Sequence, residues 1–134
     1  MIAEIVYKGD LRTEARHLRS GNIILTDAPV DNKGKGEAFS PTDLTCTSLG
    51  SCILTIMGIA AREHDIDIEG TKAEVHKTMA SGPRRISQIE IVIYMPDRNY
   101  SDKDKKILDK AAHHCPVALS LSTDTKEIIT IHWK

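Results

Sequence analysis

The sequence predicts an α+β fold with mostly antiparallel sheet and one long apolar helix. Three observations support this fold class. An uncharged run extends from Leu44 to Ala61, strand-like segments occur in groups on both sides of it, and helical segments interrupt the strands rather than following each one. The chain has 134 residues, the usual size of one domain, so we expect a single domain over residues 1–134.

The N-terminal region predicts a hairpin or a meander. Residues 2–7 and 22–26 are rich in Ile and Val, which is typical of strands. Gly9 and Gly21 mark turns in the segment between them. A polar, glycine-containing loop at residues 31–36 follows, so the first strands end before the central helix begins.

The central helix has a clear start signal at Ser40-Pro-Thr-Asp43, with a capping serine, a proline in the first helical position and a carboxylate in the third. We expect the helix to reach about His64, a length of roughly 35 Å. Its eighteen uncharged residues meet only the lower edge of the roughly 20 that cross a bilayer, and hydroxyl side chains dilute them. The sequence therefore predicts burial in a core or an oligomer interface, and no membrane partner.

The second half of the chain predicts a hairpin, two helices and a last strand. Apolar residues alternate around Ala73 and Val75 and again at residues 86–93, which indicates two antiparallel strands. A second capping signature begins a helix that Pro116 must end. The predicted elements of this half are helices at residues 101–114 and 117–121 and a strand at residues 127–133.

Charge and cysteine usage limit the classes of function. The formal net charge is −1, from 18 basic and 19 acidic residues mixed along the chain, which gives no large field for nucleic acid or anionic lipid. The N-terminus carries no secretion-signal pattern, so we expect a cytoplasmic protein. Three cysteines, none in a C-x-x-C pair, disfavour a structural disulfide framework but allow a redox pair.

Two of the cysteines are candidates for a reactive thiol. Cys115 precedes Pro116 and should lie at a helix N-cap, where the helix dipole would lower its pKa; alternatively it is a small apolar residue at a bend. Cys52 lies about three turns into the central helix, so its reactivity requires a cation from elsewhere. Candidates for that cation are Arg12, Arg16 and His17. Cys46 points away from Cys52 and is interpreted as core.

Two further features of the sequence can each be explained either by a functional role or by structure alone. His113, His114 and Cys115 are adjacent, but consecutive helical side chains diverge by about 100° and rarely close on one ion, so we expect no metal and no other cofactor. Gly50 and Gly58 either allow another helix to approach closely or relieve crowding against the sheet.

Two segments resemble the OsmC/Ohr family of thiol-dependent organic hydroperoxide reductases. They are "SPTDLTCTSLGSC" at residues 40–52 and "AAHHCPVALSL" at residues 111–121. The resemblance implies that Cys52 is the peroxidatic cysteine and Cys115 the resolving cysteine. It also implies an OsmC-like fold, with antiparallel β-sheets wrapped around long central helices in an intertwined homodimer whose active site lies at the subunit interface.

The resemblance implies a two-cysteine peroxidase with a small-molecule hydroperoxide as substrate and an external dithiol as reductant. An arginine, Arg12 or alternatively Arg16, would stabilise the thiolate and bind the leaving oxygen. The glutamate that pairs with this arginine in the family corresponds to Thr42 here, so the neighbouring Asp43 is expected to orient Arg12. The alternative is a non-enzymatic small-ligand-binding or redox-sensing dimer of the same fold.

Overall fold

The computed structural model describes residues 1–134 and confirms the α+β fold class. The chain divides into two compact units, Met1–Thr45 and Cys46–Lys134; the prediction of one domain stays a prediction. The elements are β1 (Ala3–Gly9), β2 (Arg12–His17), β3 (Ile23–Asp27), α1 (Pro41–Glu63), β4 (Lys72–Ala80), β5 (Arg85–Tyr94), α2 (Asp102–Ala112), α3 (Pro116–Leu119) and β6 (Lys126–His132), with a short 3-10 helix at Val30–Asn32.

The first unit is built on an antiparallel meander with the order β1-β2-β3. The sequence predicted β1 and β3 but did not assign a strand to the polar segment that forms β2. This middle strand is stabilised by ladders on both sides, in which Ile5 pairs with Ala15 and Ala15 with Ile24. Its polar residues therefore become a strand because of their neighbours and not because of their own propensity.

The meander exposes apolar side chains on both of its faces. Ile5 and Ile24 share one face and are 67% and 49% exposed. Val6 and Leu25 share the other face and are also exposed. The row Ile5–Ala15–Ile24 is apolar across all three strands, whereas Glu14 separates Val6 from Leu25. An exposed apolar row of this kind is typical of a protein-protein contact.

The long helix α1 begins and ends close to the predicted positions. One stripe of α1, formed by Leu49, Ile53, Met57 and Ala61, is buried. By length and apolar composition alone α1 could cross a membrane, but the core helix of a soluble protein passes the same test. Ile59, on another side of α1, is 51% exposed.

The second unit contains the main hydrophobic core. Its sheet has the order β4-β5-β6, with β5 antiparallel to β4 as predicted and parallel to β6. Ile89, Ile91 and Ile93 alternate along β5 and are fully buried in one cluster with the α1 stripe. Strand alternation on β5 and helical spacing on α1 therefore produce two apolar surfaces that cover each other.

The two shorter helices have local start signals. Ser101 and Asp104 form a capping box at α2, in which each side chain accepts a hydrogen bond from the other residue's backbone N–H. Leu108 and Ala112 anchor α2 in the core. The third helix was predicted at residues 117–121 and is the short α3, with Cys115 as its N-cap.

Gly50 and Gly58 have different surroundings although both lie on α1. A Cβ built on Gly50 would lie 3.1 Å from Val75 Cγ2 and 3.6 Å from Ile91 Cδ1, so this glycine fits the helix against the sheet. A Cβ built on Gly58 meets no atom of the chain within 4 Å. Crowding against the sheet thus explains Gly50 and does not explain Gly58.

Candidate active site

The structure brings Cys52 and Cys115 together. Cys52 lies on α1 and is partly buried, and Cys115 lies at the start of α3 with 1% of its surface exposed. The Cys52 thiol lies close enough to Cys115 to contribute to the raised pKa of Cys115, and no disulfide joins the two residues. The proline at the first position of α3 places Cys115 in an extended conformation, φ −90° and ψ 124°, which ends α2 and turns the chain.

The predicted lowering of the Cys115 pKa by the helix N-cap is outweighed by the effect of burial. Burial raises the pKa of the Cys115 thiol above its ordinary value, and the neighbouring Cys52 thiol raises it further. The backbone N–H groups of Ala118 and Val117 lower this pKa, as an N-cap position predicts, but by less. The expectation of a lowered pKa for Cys115 was therefore wrong, because the sequence did not reveal the burial.

Cys46 is a core residue, as predicted. It is 1% exposed and belongs to the same buried cluster as Leu49 and Ile53. The thiols that meet are thus Cys52 and Cys115.

Arg12 forms a hydrogen-bonded ion pair with Asp27 in the first unit. The two residues face each other across β2 and β3. Arg12 Nε donates to Asp27 Oδ1 at 2.7 Å, and Arg12 Nη2 donates to Asp27 Oδ2 at 2.8 Å. Arg12 Nη2 also donates to Glu37 Oε2 at 3.2 Å. The Asp27 side chain is fully buried, whereas 66% of the Glu37 side chain is exposed.

Within the chain the carboxylate that holds Arg12 is Asp27, and the role expected for Asp43 stays a prediction. Asp43 instead stabilises the start of α1, where its Oδ2 accepts a hydrogen bond from Ser40 N at 3.0 Å. Asp43 N in turn donates to Ser40 Oγ at 3.0 Å, and Ser40 Oγ is 3.1 Å from Thr42 Oγ1. This reciprocal pattern is a capping box, with the Asp at its third helical position.

The other predicted cations have different surroundings. Arg16 is exposed on β2, opposite Glu4 of β1, and with Glu14 it lines a shallow surface groove. His17 Nδ1 lies 2.7 Å from Ser20 Oγ in the turn after β2. Of the three candidates, Arg12 is the one that a buried carboxylate holds in a defined orientation.

No group of three or more His, Cys, Asp or Glu residues is arranged to hold a metal ion. The rings of His113 and His114 lie against the end of α2, with their Nδ1 atoms 2.8 Å from Asp109 O and 2.7 Å from Lys110 O.

The sequence interpretation did not identify Asp27 and Glu37 as the partners of Arg12. Asp27 ends an apolar strand, Ile-Ile-Leu-Thr-Asp, and an acidic residue in that place is a weak signal of a buried pair. The signal becomes informative only with the strand register, which pairs Asp27 with Arg12.

The chain is similar in sequence and in fold to proteins of one family. The model of a family described as OsmC-like protein matches residues 34–130. The search of curated proteins found no match. A crystal structure from Psychrobacter arcticus 273-4, described as an osmotic stress induced and detoxification response protein, is 55% identical. The match covers 98% of this chain and 96% of that one, with a TM-score of 0.94.

More distant structures share the fold. An organic hydroperoxide resistance protein OsmC from Legionella pneumophila is 13% identical, with a TM-score of 0.77 over 98% of this chain and 96% of that one. The organic hydroperoxide resistance protein OhrB of Bacillus subtilis is 14% identical, with a TM-score of 0.68 over 98% of each chain.

Proposed function

The chain belongs to the OsmC-like family, and on that premise we propose that it is a thiol-dependent peroxidase that reduces organic hydroperoxides with Cys52 and Cys115. The observation that carries the proposal is the proximity of the two unpaired thiols, since Cys52 packs against the buried cluster that contains Cys115 and contributes to its raised pKa. Two thiols in contact can form a disulfide without a large rearrangement of the backbone. Organic hydroperoxide resistance proteins among the structural neighbours support this choice of substrate class.

The different environments of the two thiols support different roles. Cys52 is partly exposed and can meet a substrate, whereas Cys115 is almost fully buried. Burial and the neighbouring Cys52 raise the pKa of Cys115, which disfavours Cys115 as the attacking thiolate. Cys52 is therefore proposed as the nucleophile and Cys115 as the resolving thiol.

The proposed reaction has three balanced steps. The Cys52 thiolate attacks the terminal oxygen of the hydroperoxide, the O–O bond breaks, and one proton is taken up to give Cys52 sulfenic acid and an alcohol. The Cys115 thiol then displaces water from the sulfenic acid, which forms the Cys52–Cys115 disulfide. An external dithiol reduces this disulfide by exchange and restores both thiols.

Arg12 is proposed to stabilise the Cys52 thiolate and the oxygen that leaves. This role rests on the family resemblance together with the orientation that Asp27 gives to the guanidinium. Guanidinium suits the role because it remains charged at all physiological pH values and carries five N–H donors.

The apolar surface of the chain supports a homodimer as part of the proposal. Apolar side chains are exposed on the β1-β2-β3 meander and on α1, among them Ile5, Ile24 and Ile59. A second copy of the chain is proposed to cover these surfaces, since a monomer that exposes them would be prone to association. A cytoplasmic location, where thiols are kept reduced, completes the proposal.

A non-enzymatic small-ligand-binding or redox-sensing dimer is the second candidate. The observation that favours it is Thr42, which stands where the family's glutamate is expected. In that case the same thiols would remain reduced during exposure to peroxide, or would oxidise once without turnover.

Turnover of an organic hydroperoxide with a dithiol reductant tests the proposed function. We expect steady turnover by the wild type and only the uncatalysed background with Cys52→Ser. The matched control is Cys46→Ala, which changes a cysteine on the same helix and should retain turnover because Cys46 lies in the core. Wild-type turnover by Cys52→Ser would contradict the mechanism.

A further inference from the structure

We infer that Asp27 is the positioning residue for Arg12 and performs here the function of the family's glutamate. The inference rests on the proposed function, because it concerns how Arg12 acts on Cys52. Neither Thr42 nor Asp43 holds this arginine: the partners of Arg12 are Asp27 and Glu37.

The geometry of the pair defines the orientation of the guanidinium. Two parallel hydrogen bonds, from Nε and Nη2 of Arg12 to the two oxygens of Asp27, fix both the direction and the plane of the group. Because the residues are direct partners across β2 and β3, the strand register also fixes their backbones. A single contact to one nitrogen would leave the guanidinium free to rotate.

Asp27 is itself held in place. Its Oδ2 accepts a third hydrogen bond, from Glu37 N at 3.1 Å, and its own backbone N–H donates to Phe39 O at 3.1 Å. The hydrogen bonds from Arg12 keep the pKa of Asp27 below its ordinary value, against the opposing effect of burial. The carboxylate is therefore ionised at neutral pH and cannot move without losing several contacts.

Glu37 contributes much less to the orientation. It contacts Arg12 through one hydrogen bond of 3.2 Å, and 66% of its side chain is exposed to solvent. Exposed ion pairs of this kind contribute little, whereas removal of one partner from a buried pair has a large effect. The two carboxylates around one arginine thus give a natural pair of variants for comparison.

The ion pair leaves part of Arg12 available. All three hydrogen bonds use Nε and Nη2, so the two N–H groups of Nη1 are not used within the chain. The Arg12 side chain is 27% exposed, which allows these donors to reach a group outside the ion pair. An arginine held along one edge with the other edge open can act as a fixed donor toward a developing negative charge.

The test measures the reactivity of Cys52 and does not depend on peroxide. Iodoacetamide alkylation of the Cys52 peptide is followed by mass spectrometry as a function of pH, in Asp27→Asn, Glu37→Gln and Arg12→Ala. A nearby positive charge favours a thiolate over a thiol, so we expect Arg12→Ala and Asp27→Asn to slow alkylation at neutral pH about tenfold. Glu37→Gln should remain within about twofold of the wild type.

Two outcomes would overturn the inference. The first is an alkylation profile of Asp27→Asn that overlaps the wild type while Arg12→Ala is shifted. The second is an Arg12→Ala profile equal to the wild type. Arg12 would then have no effect on Cys52, and its orientation by Asp27 could not matter for the reactivity of this thiol. Loss of turnover in Cys52→Ser is measured separately, so failure of the proposed function and failure of this inference give different results.

Two additional variants separate positioning from a general loss of structure. Asp27→Glu keeps a carboxylate and should restore alkylation at least in part, and no recovery at all in this variant would contradict the inference. If Asp27→Asn does not fold, Arg12→Lys tests the ion pair by changing the cation instead of the carboxylate. Lysine keeps the charge but cannot bond both oxygens in the fixed fork geometry, so we expect slower alkylation. A wild-type profile for Arg12→Lys would contradict the role of the two-bond geometry.

Discussion

The substitution Gly58→Leu distinguishes the folding of one chain from the assembly of two. A Cβ at this position meets no atom of the chain within 4 Å, so a side chain there extends into open space. Glycine disfavours a helix interior by about 0.8–1 kcal/mol relative to good helix formers. Within a single chain, Gly58→Leu should therefore stabilise α1 by about this amount.

The proposed homodimer, in contrast, predicts that Gly58→Leu destabilises the assembly of two chains. If two α1 helices approach closely at Gly58, a leucine must be accommodated in a packed interface, and such overpacking costs about 1–3 kcal/mol. This range corresponds to a dissociation constant increased by about 5–150-fold. Peroxidase activity should fall together with the dimer, because the family resemblance implies an active site at the subunit interface.

Sedimentation equilibrium at micromolar concentration, together with urea unfolding, measures both effects. The matched control is Gly50→Ala on the same helix, whose Cβ would press on Val75 Cγ2 at 3.1 Å and should affect the packing of the chain rather than its assembly. A wild-type protein that sediments as a compact, folded monomer would refute the reasoning. A Gly58→Leu variant that dimerises as tightly as the wild type would refute the predicted position of the contact.

The remaining predictions concern the resolving thiol, a helix cap and a buried carboxylate. Cys115→Ser should abolish the intramolecular disulfide and leave a Cys52 sulfenic acid, detected as a dimedone adduct by mass spectrometry; rapid turnover without an adduct would contradict it. Ser101→Ala should lower the free energy of unfolding in urea by about 1 kcal/mol through loss of the capping box, whereas Ser81→Ala should change it little. Because the folded state lowers the pKa of Asp27, its contribution to stability should be present above about pH 5 and lost as the pH falls below about 4, and Asp27→Asn should flatten this part of the unfolding profile.

Local signals explain why the helices and several strands could be predicted. Ser40 and Ser101 start helices through contacts with residues only three positions away, so the information lies within a few residues. Alternation along β5 likewise follows from its own residues. These elements appear close to their predicted bounds because their causes are local in the sequence.

Elements that depend on distant partners were not predictable in the same way. The polar segment Arg12–His17 becomes a strand because β1 and β3 pair with both of its edges. The parallel pairing of β5 with β6 joins segments separated by two helices. Neither fact can be read from the composition of the segment concerned.

The site shows the same difference between local and distant causes. The position of Cys115 at a helix N-cap followed from Pro116, but its raised pKa follows from burial and from Cys52. Asp43 was the nearest carboxylate to the expected glutamate in sequence, whereas Asp27 holds Arg12 through the strand register. Sequence proximity therefore identified a capping residue, and only the fold identified the partner of the arginine.

Mass spectrometry after a short pulse of an organic hydroperoxide tests whether Cys52 and Cys115 react as a peroxidatic and resolving pair. The reduced protein is exposed to one equivalent of peroxide, quenched with an alkylating agent and digested without reductant. We expect rapid, stoichiometric formation of a Cys52–Cys115 disulfide, with Cys46 remaining a thiol in the core. Persistent Cys52 and Cys115 thiols after the pulse would contradict the peroxidase and would favour the non-enzymatic dimer.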